Sequence, residues 1–148
     1  MLKSRLLHPE ILGALAAAGH LAKVLISDGN YPSSTVPNPR AKVVWANFTP
    51  GIVDACTALR LVCAQIPVEA VEVMAPARSG LYAMQNDPPI WEQYRKILRE
   101  SADFGGELIQ HQKPEFNAQA RSESVALVIA TAETQIYANI LLTVGVVQ

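Results

Sequence analysis

The stretch Val24-Leu25-Ile26-Ser27 is a short apolar run that ends at Asp28, and it gives the first indication of the fold. A run of this kind is typical of a buried β-strand. Before it, Pro9 stands where a helix can begin, and Gly19 is a natural end for that helix. After it, residues 28–40 are rich in Pro, Ser, Asn and Gly, which indicates a loop long enough to close over a ligand.

The same alternation of helix and strand continues along the chain. A capping residue followed by proline predicts that two further helices begin at Thr49-Pro50 and at Asp87-Pro88, the first running to about Gln65. Strands are predicted over 68–75, 108–111, 125–131 and 138–147, a helix over 114–122, and an irregular segment over 78–86. This order favours an α/β fold, in which helices flank a central β-sheet. Without repeats or low-complexity tracts, residues 1–148 are predicted to form a single layered domain.

Composition excludes several classes of function. The 12 basic and 13 acidic side chains nearly cancel and form no basic stripe, so no nucleic-acid partner is expected. No membrane association is expected, because no stretch reaches the roughly 18–20 apolar residues of a span. Cys56 and Cys63 lie two helical turns apart, too far for a disulfide, and the N-terminus carries no secretion signal, which together favour the cytoplasm. The apolar fraction of 50% favours a homo-oligomer that buries apolar surface between subunits.

Standard cofactor and metal motifs are absent from the sequence. It has no GxGxxG, P-loop, GxSxG, CxxC or HExxH pattern. Its three histidines, His8, His20 and His111, lack the spacing of metal ligands. The sequence therefore predicts no cofactor and no metal.

His20 and Asp28 form the first candidate pair of functional residues. His20 follows the end of the first predicted helix, where the helix dipole favours a protonated imidazole. Asp28 ends the next strand, so both side chains are predicted to face one cleft. A capping histidine and a turn aspartate are the structural alternative.

Tyr137 and Asn139 form a second candidate pair. They begin the last predicted strand, where residues two apart point to the same face. A phenol and an amide side by side suit sugar hydroxyls, which need both donors and acceptors. Purely structural roles for both are the alternative.

These features together resemble the ribose pyranase / fucose mutarotase family over essentially the whole chain. The resemblance rests on Gly19-His20, on Asp28 with Pro32, on Glu133, and on Tyr137-Ala138-Asn139-Ile140-Leu141-Leu142 with Gly145-Val146. The fucose branch is the more similar one, through His8-Pro9-Glu10-Ile11-Leu12 and the helix around Trp91, Tyr94 and Arg95.

The resemblance implies a mutarotase that interconverts the anomers or ring forms of a monosaccharide, fucose-like first and ribose-like second. His20 is then the general acid and base, and Asp28, Tyr137, Asn139 and Met74 bind the substrate. Family members are expected to form ring-like oligomers, commonly decamers, with sites at subunit boundaries.

Two positions depart from the family pattern. Ala22 stands where an acidic residue usually follows the histidine, so support for the imidazole has to come from elsewhere. Lys113, three residues before Phe116, stands where the family has histidine or arginine, and it is predicted to contact a distal hydroxyl of the sugar.

Three other functions stay open on the sequence alone. A sugar-binding protein without catalysis is compatible with the departures at Ala22 and Lys113. A structural assembly protein with a vestigial pocket is the second. An aldose–ketose isomerase is the third, although it needs to move a carbon-bound hydrogen.

Overall fold

Six β-strands and four α-helices make up the regular structure of residues 2–147, which are the residues that the computed structural model describes. In chain order they are α1 (Pro9–Ala17), β1 (Lys23–Ser27), β2 (Lys42–Trp45), α2 (Ala55–Cys63), β3 (Val68–Met74), α3 (Ile90–Ala102), β4 (Leu108–His111), α4 (Lys113–Arg121), β5 (Val125–Ala130) and β6 (Ile140–Val144). The predicted α/β fold with one central sheet is confirmed. Among these residues no helix is both long and apolar enough to cross a membrane.

The six strands form one mixed sheet in the order β2-β5-β1-β6-β3-β4. All strands run parallel except β6, which lies antiparallel between β1 and β3. The carboxyl ends of five strands and the start of β6 therefore meet at one edge of the sheet. In open α/β sheets this edge is where ligands usually bind.

Helices cover the two faces of the sheet unequally. Val24 and Ile26 of β1 point into the core shared with α1, α2 and α3, whereas Leu25 points to the opposite face. There α4 packs through Phe116, and part of the long loop after β1 packs beside it through Tyr31. Alternate residues of β1 thus serve two cores, which explains why Val24, Leu25 and Ile26 are all apolar.

Both cysteines belong to α2, and both are free thiols. Burial raises the pKa of Cys63 to about 12, and burial together with the nearby Asp54 raises that of Cys56 to about 11. Both thiols therefore stay protonated at neutral pH, as expected of cysteines that pack against a core.

The predicted start of α2 at Thr49-Pro50 is wrong, and one strand was missed. Residues 49–52 form a tight turn closed by a bridge between Thr49 and Ile52, with Gly51 at φ +81°. The helix begins only at Ala55, where Asp54 caps it by accepting from the Thr57 N–H at 2.6 Å. The missed strand, β2, has four residues at the edge of the sheet, of which only Val44 is buried.

Two other predicted boundaries shift. The third helix begins at Ile90 rather than at Asp87, and the Asp87 carboxylate pairs with Arg95 instead of capping the helix. The last strand is limited to Ile140–Val144, so Tyr137 and Asn139 precede it. Tyr137 adopts a left-handed conformation with φ +59°, which no regular strand contains.

Candidate functional site

A cavity of about 350 Å³ opens at the carboxyl edge of the sheet, a size typical of small-molecule sites. All five residues that were predicted to bind a substrate line it: Asp28, Met74, Lys113, Tyr137 and Asn139. Residues far apart in the chain thus converge on one cavity.

The topology of the sheet explains this convergence. Asp28 directly follows β1, and Met74 is the last residue of β3. Lys113 begins α4 after β4, and Asn139 immediately precedes β6. Since β6 runs opposite to its neighbours, its start lies beside the ends of β1 and β3.

Asp28 and Asn139 form the polar floor of the cavity, and both are buried. The Asn139 amide donates to Asp28 Oδ2 at 2.8 Å, while Asn139 Oδ1 accepts the Asp28 N–H at 2.9 Å. Burial raises the pKa of Asp28, and the nearby donors, the Asn30 N–H first, lower it in part. The Asn30 N–H donates to Asp28 Oδ1 at 2.9 Å and the Asn139 amide to Oδ2. A carboxylate has about four lone-pair sites, so Asp28 keeps acceptor capacity for a ligand hydroxyl beyond these two hydrogen bonds.

Several lining residues were missed by sequence reasoning. Asn117 lies four residues after Lys113, on the same side of α4, and this spacing could have identified it. The Tyr31 hydroxyl donates to Asn117 Oδ1 at 3.1 Å, and burial raises the pKa of Tyr31 to about 12. The remaining lining residues missed from the sequence are Asn30, Tyr82 and Ile136, which come from loops. Pro32, part of the family resemblance but given no binding role there, also lines the cavity.

Tyr137 reaches the cavity in a different way from the one predicted. It lies in a turn rather than in a strand, so strand alternation does not account for its position beside Asn139. Its hydroxyl accepts the Ala77 N–H at 3.2 Å and donates to the Tyr82 carbonyl at 3.0 Å. The phenol therefore already binds the loop that follows β3.

His20 lies outside this cavity, near the opposite edge of the sheet. It precedes β1, whereas Asp28 follows it, and the ends of a five-residue strand are about 13 Å apart. The prediction that His20 and Asp28 face one cleft is therefore wrong within a single chain. His20 Nε2 instead contacts Glu69 Oε2 at 2.7 Å, with both side chains half-exposed.

Comparison with known proteins identifies the family of the chain. Residues 1–147 match the RbsD / FucU transport protein family. The chain belongs to this family. It is 32% identical to the fucose mutarotase of Mus musculus, over 95% of this chain and 90% of that protein. It is 29% identical to the D-ribose pyranase of Pseudomonas fluorescens (strain SBW25), over 99% of this chain and 98% of that protein. The crystal structure of FucU from Bifidobacterium longum superposes with a TM-score of 0.79 at 27% identity, covering 96% of this chain and 97% of that one.

In this RbsD/FucU chain a carboxylate from strand β3 lies beside His20. Ala22 removes the acidic residue expected two positions after His20, and the Glu69 carboxylate contacts the imidazole instead. Gly145 keeps that edge compact, because its N–H donates to the Pro67 carbonyl at 2.9 Å. A Cβ at Gly145 would come within 3.4 Å of the Glu69 Cβ.

A second cluster of charges lies under the cavity of this RbsD/FucU chain, between the sheet and α4. The buried Glu72 accepts from Lys23 Nζ at 2.5 Å and lies 2.9 Å from His111 Nε2. Lys23 also donates to Gln119 of α4 at 2.9 Å. The cluster fixes α4, which carries Lys113 and Asn117, against β1, β3 and β4.

Glu133, which is also part of the family resemblance, makes hydrogen bonds that hold loop backbone in place. It is buried, and its Oε1 accepts the N–H groups of Thr134 and Gln135, both at 2.9 Å. The Gly29 N–H also donates to the Glu133 carbonyl at 2.9 Å, and a Cβ at Gly29 would meet that oxygen at 3.1 Å. Glu133 and Gly29 thus hold two loops together beside Asp28. Among residues 2–147, no group of three His, Cys, Asp or Glu side chains is placed to hold a metal ion.

Proposed function

We propose that this chain is a monosaccharide mutarotase, an isomerase that interconverts the anomers or ring forms of a reducing sugar. The observation that carries the proposal is the convergence of five predicted sugar-binding residues on one cavity at the carboxyl edge of the sheet. Relatives named fucose mutarotase and D-ribose pyranase support the same reaction class. The somewhat higher identity to fucose mutarotases favours a fucose-like sugar over a ribose-like one.

The cavity offers the chemistry that a monosaccharide needs. Asp28 accepts hydrogen bonds from hydroxyls, Asn139 donates and accepts, and Lys113 supplies a positive donor toward a distal hydroxyl. Met74 adds an apolar surface for the C–H groups of the ring. Mutarotation moves protons between the ring oxygen and the anomeric hydroxyl, so it calls for a group that exchanges protons near neutral pH and for no cofactor.

His20 is the proposed proton donor and acceptor, supplied to the cavity by a neighbouring copy of the chain. The imidazole and the cavity lie at opposite edges of the sheet, so copies stacked head to tail bring one copy's His20 to the next copy's cavity. Exposed apolar side chains border both edges, with Leu21 beside His20 and Ile136 at the cavity.

A head-to-tail contact closes into a ring when its rotation divides a full turn. The ring-shaped decamer implied by the family resemblance is one assembly of this kind. We propose such a homo-oligomer in the cytoplasm, where the free thiols of Cys56 and Cys63 persist. No nucleic-acid or membrane partner is part of the proposal.

NMR magnetisation exchange between α and β anomers tests the reaction directly, on L-fucose, D-ribose and D-galactose. The wild-type protein is expected to accelerate exchange for at least one of them. His20→Ala is expected to lose about 10²- to 10⁴-fold of that acceleration while still binding the sugar. His8→Ala is the matched control, because His8 lies at the start of α1 and does not line the cavity. Equal exchange in His20→Ala and wild type would remove His20 from the mechanism.

A sugar-binding protein without catalysis is the second candidate. The position of His20 outside the cavity of a single chain favours it, because that cavity alone contains no imidazole. Saturable sugar binding by an assembled protein that leaves anomer exchange at its uncatalysed rate would support this candidate and reject the mutarotase.

A further inference from the structure

The loop between β3 and α3 is held in shape by its own hydrogen bonds. The Met84 N–H donates to the Ala77 carbonyl at 2.9 Å. Arg78 Nη1 donates to the carbonyls of Met84 and Gln85 at 2.9 and 2.8 Å. The loop side chains around Tyr82 are mostly exposed, so this bonding and not core packing fixes the conformation.

One phenol attaches this loop to the cavity. The Tyr137 hydroxyl accepts from Ala77 and donates to Tyr82, so it joins two points of the loop. The Tyr137 carbonyl accepts from Nε1 of the buried Trp91 at 3.2 Å, which anchors the residue to α3. A hydroxyl has one proton and two lone pairs, so Tyr137 keeps one lone pair and no proton for a ligand.

Tyr82 lines the cavity and is 64% exposed, which leaves its ring free to contact a ligand. The cavity also contains the polar groups Asp28, Lys113 and Asn139. The neighbouring Leu81 is 87% exposed and does not line the cavity. The loop therefore presents one aromatic ring to a cavity that also contains these polar groups.

We propose that Tyr82 is a specificity-determining residue that packs against the C–H-rich face of the bound sugar. Tyr137 is a positioning residue that holds the Tyr82 loop at the cavity. This inference rests on the proposed function and deepens it. It assigns the site to sugars with an extended apolar face, such as 6-deoxyhexopyranoses, in preference to pentoses.

The first test compares Tyr82→Ala with Leu81→Ala, a matched truncation one residue away. Sugar affinity is measured by calorimetry and KM by NMR anomer exchange, for L-fucose and for D-ribose. Tyr82→Ala is expected to weaken L-fucose binding about 3- to 10-fold and D-ribose binding less than about 2-fold, given the usual contribution of an aromatic contact. Tyr82→Phe keeps the ring and is expected to keep the preference. Equal affinities in Tyr82→Ala and Leu81→Ala would overturn the proposal.

The second test separates positioning by Tyr137 from direct binding. Tyr137→Phe is expected to speed amide hydrogen exchange at Ala77 and to reduce the preference for L-fucose as Tyr82→Ala does. The double variant Tyr82→Ala/Tyr137→Phe is then expected to bind L-fucose no more weakly than Tyr82→Ala alone. The reason is that each substitution removes the same contact, the one between the Tyr82 ring and the sugar. Fully additive losses would overturn the positioning role.

A failure of the proposed function gives a different pattern. If the wild-type protein binds L-fucose but leaves anomer exchange unchanged, mutarotation is rejected while the calorimetric comparison still decides the role of Tyr82. If no sugar binds the wild-type protein, both proposals are rejected.

Discussion

Asp28 and Asn139 bind each other through two reciprocal hydrogen bonds, backbone N–H to amide oxygen at 2.9 Å and amide nitrogen to carboxylate at 2.8 Å. The pair joins the end of β1 to the start of β6, two antiparallel neighbours at the centre of the sheet. One interaction thus both stabilises the fold and orients two groups of the cavity floor.

Asn139→Ala is expected to lower the free energy of unfolding by about 1–3 kcal/mol, because it leaves the buried Asp28 N–H and carboxylate short of partners. Chemical denaturation measures the loss. The control is Asn47→Ala. Because Asn47 is exposed, this substitution is expected to lower the free energy of unfolding by less than about 0.5 kcal/mol. Equal stabilities of the two variants would show that the reciprocal pair does not stabilise the sheet.

Asp28 makes stability depend on pH in a defined direction. Burial raises its folded-state pKa above the ordinary value of 3.8, so above that pH the native state holds a proton more readily than the unfolded state. The free energy of unfolding of the wild type therefore falls relative to that of Asp28→Asn as the pH rises from about 4 through the raised pKa. Denaturation of both proteins between pH 4 and 7 measures this difference. A difference that grows in favour of the wild type over this range would contradict the assignment.

Glu72 and Glu69 lie on the same strand, and each contacts a histidine, but their environments differ. Glu72→Ala is expected to lower the free energy of unfolding by about 2–3 kcal/mol, because it leaves the mostly buried charge of Lys23 without a carboxylate partner beneath α4. Glu69→Ala removes a half-exposed contact and is expected to cost less than about 1 kcal/mol. Thermal and chemical denaturation of the two variants check the contrast, and similar losses would refute it.

Lys113 lines the cavity and is expected to contribute to substrate affinity rather than to the fold. Lys113→Met is expected to raise KM for the preferred sugar about 10-fold or more, the usual effect of losing a charged hydrogen bond. Lys96→Met is the control, because Lys96 is an exposed lysine of α3. Anomer exchange at several sugar concentrations gives KM, and an unchanged KM would exclude Lys113 from the site.

The regular elements could be predicted wherever burial determines the residue type. β1 and β5 were predicted to within one residue, because their apolar runs are bounded by clear breaks. β4 was predicted to the residue although only Leu108 of its four residues is buried. The predicted start of α2 precedes the observed one because Thr49-Pro50 fits a helix start and a tight turn equally well. Only the conformation of Gly51, with φ +81°, distinguishes the two. β2 depends on pairing with β5, a contact that four residues alone do not indicate.

Five residues that line the cavity could be predicted from the sequence, but the arrangement of the site could not. Asp28 and Lys113 lie at element ends that the topology brings together, and their types suit hydroxyls. The separation of His20 from Asp28 follows from the length of the strand between them, which the sequence predicts. The contact of His20 with Glu69 depends on the sheet order, which the sequence does not give.

The most direct test of a shared mutarotase site is subunit complementation between His20→Ala and Asp28→Asn. Each variant alone is expected to be nearly inactive. After dissociation, mixing in equal amounts and reassembly, some sites combine an intact His20 from one copy with an intact cavity from another. A working contact needs its His20 from an Asp28→Asn copy and its cavity from a His20→Ala copy. Random assembly gives this combination at about one quarter of the head-to-tail contacts, so anomer exchange is predicted to recover to about a quarter of the wild-type rate. A mixture that assembles fully and stays as inactive as the separate variants would contradict the account.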